Sequence, residues 1–311
     1  MTADHGVEPY MHSPNRKIGV PVVLLAGICW STGGLIYRWI EAASAWQVLF
    51  FRSISLFVML LLWLLIRYRY NLIEALIRAG VPALVGGACL SIAFTGFILA
   101  LEHTSVANAM FVLAASPFFT AALARVLLRE AIFWYTWLAM ALAAVGLGIM
   151  TSGEMNAGGG LGNLFALLTA LGFSGMAISL RSRPETDMLP TILYASLFAS
   201  VFAAVAIVAS HEGFDLLPID LSYSISLGIF QVGLGFLLFT LGARHLPAVE
   251  LNLLSLTEII VGPILVWVVI GETPINSTLI GGAVIISAIV VIAILGAAQS
   301  KHPVKVETPF S

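Results

Sequence analysis

Glu258 stands near the middle of an uninterrupted apolar run, residues 248–270, and Pro263 follows five positions later. A charge at the centre of a bilayer costs about 2.5–3.5 kcal/mol on translocon scales, so a carboxylate there faces a cavity or a partner. Proline has no main-chain N–H to donate, so Pro263 leaves the carbonyl of Ile259 unpaired beside that carboxylate. Together they form a negative patch suited to an ammonium group or a proton. The plainer reading is a protonated glutamate hydrogen-bonded to a neighbouring helix. Arg52 is its complement, some seven residues into another apolar run, or about 10 Å at helical rise. Facing inward, it can hold the carboxylate of a zwitterion whose amine lies near Glu258, or pair with Glu258 directly. Its stem can also snorkel to the membrane surface.

Smaller polar and aromatic groups share these runs. Gln231 lies between Gly228 and Gly235, where small neighbours allow close helix approach, and serves either as a site group or as an interhelical clamp. Ser31, Asn108, Ser91 and Thr95 read as site groups or as glue between helices. Trp30 and Tyr37 are seven apart on one helix face, with Gly34 between them, and Phe94, Phe111 and Phe236 offer further rings for stacking. Pro117 and Pro263 weaken their helices and are candidate hinges.

One motif points elsewhere. Gly172-Phe173-Ser174-Gly175 spells the GxSG nucleophile pattern of intramembrane serine proteases, and a serine nucleophile needs a base within hydrogen-bond reach. All six histidines lie in tails or at the ends of apolar runs, whereas Ser174 is mid-run, so an enzyme is not expected and the protease stays a remote alternative. Neither a phosphate-binding Gly-Lys motif nor paired zinc ligands occur, so no cofactor or metal is implied. Cys29 and Cys89 both lie in apolar runs and read as small core residues.

The elements that must carry these residues follow from composition. Of 311 residues 60% are hydrophobic and only 10% charged, against about 25% charged in soluble domains, which excludes a soluble enzyme or a nucleic-acid binder. About 20 apolar residues cross a hydrocarbon core. The chain divides into ten such runs, near 18–40, 45–66, 80–101, 104–128, 131–151, 159–181, 188–210, 219–242, 248–270 and 276–298. They are twice as long as barrel strands and continuous, so they are helices. With the N-terminus inside, 12 of the 14 basic residues fall on the cytoplasmic face, as positive-inside loops require.

Sliding the sequence by 142 to 143 residues superposes His103 on His245, Glu130 on Glu272, Trp30 on Phe173, Ser31 on Ser174 and Arg38 on Arg181. Five runs separate the copies, an odd number, so the second half is inserted upside down, as in many secondary transporters with a site near the midplane. The expected fold is an all-α integral membrane protein of ten transmembrane helices in two inverted five-helix repeats. The first repeat covers 17–151 and the second 159–298, flanked by cytoplasmic tails 1–16 and 299–311.

Residues 102–130, EHTSVANAMFVLAASPFFTAALARVLLRE, resemble the end of an EamA-type repeat of the drug/metabolite transporter superfamily, and 244–272, RHLPAVELNLLSLTEIIVGPILVWVVIGE, resemble its second copy. The resemblance implies a ten-helix carrier whose cavity is lined by spans 1 to 4 and 6 to 9, with spans 5 and 10 peripheral. It implies export of amino acids, including aromatic and neutral ones, across the bacterial inner (plasma) membrane by alternating access. Nucleosides, sugars or cationic compounds are the alternative cargo. The expected partners are a small-molecule substrate and the lipid bilayer, with proton coupling if Glu258 titrates and no nucleic acid. The chain is expected to be a monomer or a weak homodimer.

Overall fold

In lipid every main-chain polar group must be satisfied within the protein, and an apolar run does this most simply as a helix. The computed structural model describes residues 16–129, 134–156, 160–182, 188–246 and 248–300, and no strand occurs among them. The helices are α1 (Arg16–Arg38), α2 (Ala45–Tyr68), α3 (Leu72–His103), α4 (Val106–Ala114), α5 (Ser116–Leu127), α6 (Trp134–Asn156), α7 (Gly160–Arg181), α8 (Met188–Ala209), α9 (Pro218–Ser226), α10 (Gly235–Ala243), α11 (Ala248–Ile270) and α12 (Asn276–Ser300). A short 3-10 turn, Arg69–Asn71, joins α2 to α3, and a π-helical segment, Leu227–Leu234, joins α9 to α10. Six stretches among the described residues are long and apolar enough to cross a membrane: Arg16–Arg38, Ala45–His103, Val106–Leu127, Gly160–Arg181, Met188–Ala209 and Pro218–Ala243. The protein is a multi-pass membrane protein. The tails at 1–16 and 299–311 lie outside the described residues except for Arg16, Gln299 and Ser300.

The boundaries differ from the sequence reading: α6 runs on to Asn156, past the expected end at 151, and two other departures change the course of the chain. Residues 72–79, which lie between two of the apolar runs, are helical, and Gly80 at φ 63° turns the chain where they meet the next helix. The run 104–128 is broken at Ala115 into α4 and α5, with Pro117 in the first turn of α5. Pro263, by contrast, sits inside an unbroken α11. The residue before a proline is crowded through its Cβ; Gly262 has none, whereas Ser116 does.

Neighbours repeat between the two halves. α3 packs on α7, and the α9–π–α10 span packs on α1; α3 on α8 is matched by the π segment and α9 on α2; α4 and α5 on α7 are matched by α11 on α1. The pairs α2–α8, α4–α11 and α6–α12 map onto themselves. Exchanging the elements before residue 157 with those after 159 therefore reproduces these neighbours.

Small residues make the crossings close. A methyl group on Gly172 would lie 2.6 Å from the Cys89 carbonyl oxygen, and one on Gly175 would lie 2.7 Å from the Cys89 sulfur. The GxSG glycines are thus the contact positions of α7 on α3. Between them Ser174 is fully buried, its hydroxyl 2.7 Å from the Ala170 carbonyl and 2.9 Å from that of Ser116 at the break in the α4–α5 span. Gly146 and Gly281 abut in the same manner where α6 meets α12, and Gly282 packs on the Phe111 ring, which is thereby turned toward α12.

Candidate functional site

The candidate residues of the second half meet α1 of the first. The Gln231 side chain, 4% exposed, lies against Gly33, and its Nε2 donates to the Trp30 carbonyl at 3.4 Å. Its Oε1 is buried without a hydrogen-bond partner among the described residues. The π segment makes this approach possible on both sides: Gly228 packs on the Arg52 carbonyl and Ser55, Gly233 on Met59, and the following Gly235 on the Trp30 indole. Trp30 is half-buried, with Phe236 edge-on at 5.2 Å and Phe239 at 5.3 Å between ring centres. Ser31 is fully buried and donates to the Ile28 carbonyl of its own helix at 2.7 Å, so its hydroxyl is occupied.

Glu258 shares this seam. A methyl group on Gly27 of α1 would touch its main-chain nitrogen at 3.7 Å, and Gly262, one turn on, faces the Ser31 carbonyl oxygen at 3.5 Å. Residues four apart lie on one helix face. That puts half-buried Glu258 on the α1 side of α11.

Arg52 has a different setting. It lies on the buried stripe of α2 with Val48, Leu49, Leu56 and Leu60, and is 3% exposed. Its guanidinium carbon stands 4.9 Å from the centre of the Phe94 ring of α3, which is itself 2% exposed. Nε and Nη1 are buried and have no hydrogen-bond partner among the described residues. Neither a direct pair with Glu258 nor an escape to the surface is realised; among the described residues no ion pair joins the two.

Arg38, seen in the sequence only as a repeat marker, anchors a polar clasp at the other end of α1. Its Nε donates to Glu272 at 2.7 Å, Nη1 to the Leu101 carbonyl at 2.6 Å and Nη2 to the Thr104 carbonyl at 2.8 Å, while the second Glu272 oxygen accepts the Val106 N–H at 2.7 Å. Alongside, the carboxylate of Asp220 accepts the N–H groups of Glu41, Ala42 and Ala43 at 2.9–3.0 Å. Ser44 donates to Glu212 at 2.5 Å and Gln47 to the Gly213 carbonyl at 2.7 Å. Each of these contacts from Glu212, Gly213, Asp220 or Glu272 links the second half of the chain to the first.

Asn108 and Tyr37 belong with this end and not with the Trp30 cluster. Asn108, in the first turn of α4, is fully buried and donates to Thr104 at 3.0 Å and to Asn163 of α7 at 2.5 Å. Tyr37 is half-buried next to Arg38, two turns or about 10 Å along α1 from Trp30. Asp220 and Asn163 escaped the sequence reading; the one signal for Asp220 was an acid in the first turn after Pro218. Glu130, the repeat partner of Glu272, lies outside the described residues. An open groove between α2 and the α9–π span, lined by Phe51, Met59, Trp63, Ile225 and Ile229, is apolar and takes none of the candidate polar groups.

The EamA-like transporter family model matches residues 17–152 and again 160–294. An uncharacterized transporter of Synechocystis sp. is 27% identical over 199 residues, 58% of this chain, and the chain spans 56% of that relative's length. A crystal structure of a protein 18% identical in sequence superposes with a TM-score of 0.63, covering 93% of this chain and 100% of that one, which establishes a shared fold.

Proposed function

Because this chain belongs to the EamA-like transporter family, we propose that it is a secondary carrier exporting small metabolites, amino acids including aromatic and neutral ones, across the bacterial inner membrane. The observation that carries this reading is the packing of α1 of one half on the π segment, α10 and α11 of the other, which brings Gln231 and Phe236 to Trp30 and sets Glu258 on the face of α11 toward α1. A site between repeats is where rocking of one half on the other exposes cargo alternately to each side. Trp30 and Phe236 supply a stacking wall for an apolar or aromatic side chain, and Glu258 a negative group for an ammonium.

In this scheme the chain crosses the membrane ten times, with the second repeat inverted and both termini in the cytoplasm. The clasp of Arg38, Glu272 and Asp220 closes the outer end and parts once per cycle. Pro117, at the break between α4 and α5, is the stronger of the two hinge candidates, since Pro263 interrupts nothing.

Counterflow in proteoliposomes with labelled amino acids, nucleosides, sugars and organic cations tests the reading. Exchange of aromatic and neutral amino acids is the expected result. Exchange of any other class alone overturns the cargo assignment and leaves the carrier standing.

A further inference from the structure

We propose that Arg52, braced by Phe94, is a recognition site for a carboxylate on the transported molecule, so that an anionic group is obligatory in the cargo. This deepens the carrier reading and rests on it. It does not require that the cargo be an amino acid.

A guanidinium is protonated under all ordinary conditions and presents five donors in a fixed fork. Arg52 is on the buried face of its helix, 3% exposed, with Nε and Nη1 both without a hydrogen-bond partner. Buried charges in proteins are paired or hydrogen-bonded, because an unpaired one costs several kcal/mol of desolvation. Nearby polar groups leave that cost in place. The Ser55 hydroxyl donates to the Arg52 carbonyl at 2.9 Å, and the Ser53 hydroxyl is itself buried and unpartnered. The Phe94 ring, 4.9 Å from the guanidinium carbon, stabilises the cation through its π face and leaves the in-plane N–H groups free.

Such an arrangement is incomplete without an anion. The chemistry it selects is planar and oxygen-bearing, since an arginine fork matches a carboxylate through two parallel N–H···O bonds. Arg38 shows what a fully furnished arginine looks like in this same fold, with a carboxylate and two carbonyls on its three nitrogens. Among the described residues none of these reaches Nε or Nη1 of Arg52, and its place on the buried face of α2 leaves the cargo as the source.

The test uses the full chain in proteoliposomes and four matched competitors of labelled exchange: phenylalanine, its deaminated form 3-phenylpropanoate, its decarboxylated form phenethylamine, and phenylalaninamide. The two carboxylates are expected to compete at least about tenfold more strongly than the amine and the amide, as for a buried charge-assisted pair. Arg52→Gln and Arg52→Ala are expected to erase that ratio and Arg52→Lys to keep part of it. Equal competition by the amide in the unaltered protein, or an unchanged ratio in Arg52→Gln, overturns the proposal. Arg52-dependent competition by 3-phenylpropanoate without phenylalanine exchange sinks the amino-acid reading and keeps this one. Phenylalanine exchange with equal competition by the amide does the reverse. If nothing in the set exchanges, thermal stability in detergent decides: benzoate, succinate and 3-phenylpropanoate must protect the unaltered chain more than Arg52→Gln, and failure of all three overturns the site.

Discussion

Arg38 and Arg52 are fourteen residues apart on consecutive helices, and the fold treats them in opposite ways. Arg38 caps the end of α1 and each of its nitrogens has a protein acceptor within 2.8 Å. Arg52 is deeper, and two of its nitrogens have none. The first arginine is therefore part of what holds the halves together; the second is a charge that the fold backs with the Phe94 ring but leaves without an acceptor for Nε and Nη1 among the described residues. In a chain with only 14 basic residues, a buried one with no hydrogen-bond acceptor at Nε or Nη1 among the described residues marks a place where stability was not the selected quantity.

The contrast can be broken most directly at Arg52. Arg52→Ala is expected to lower exchange by about 100-fold, the scale of losing one buried charge-assisted pair, while leaving the melting temperature in detergent unchanged or raised. A melting temperature lowered as far as that of Arg38→Ala would remove the distinction between the two residues. Arg38→Ala should cost about 2–3 kcal/mol of unfolding free energy, because it strands one oxygen of Glu272 and two carbonyls. The figure allows for a side chain still 24% exposed, and denaturant titration of the purified chain would measure it. Asp220→Asn should cost about 1–2 kcal/mol, since the neutral amide keeps one oxygen for three N–H donors.

Glu258→Gln sharpens the comparison from the acidic side. Loss of any stimulation by a proton gradient, read as exchange across a range of pH, is expected if its carboxylate takes part; unaltered rate, affinity and pH response would make it structural. The smallest effect should be at Ser174→Ala, about 1 kcal/mol or less, with exchange retained. Abolished exchange in a protein of unchanged stability would reopen a chemical role for that serine.

Apolar run length made the helices legible in sequence, and the repeat register flagged Arg38 and Glu272 as equivalent-position markers. Their meeting was not legible, because 234 residues separate them and only tertiary packing brings the loop after α11 to the end of α1. Arg52 stood out as a charge in an apolar run, but whether it snorkels or turns inward depends on which face of α2 is covered. The helix over 72–79 was hidden by the sharp turn at Gly80, a backbone state that sequence pattern does not encode. Ser31 and Asn108, read more as glue between helices than as site groups, are separated from Gln231 by their hydrogen bonds to Ile28, Thr104 and Asn163, which are set by rotamer and neighbour.

The π segment at Leu227–Leu234 has one further consequence. A π turn amounts to an α-helix with an inserted residue, and each residue of an α-helix turns the chain by about 100°. Winding these same residues as a plain α-helix would act as a screw: α9 would keep its grip on the α1–α2 loop through Asp220, while everything from Gly235 onward would rotate. Phe236 would swing off the Trp30 ring and the glycine beneath the indole would be replaced by a larger neighbour. The two ends of this span thus answer to different constraints, one holding the α1–α2 loop and one setting the ring contact with Trp30, and the extra residue of the π turn is what lets both be met.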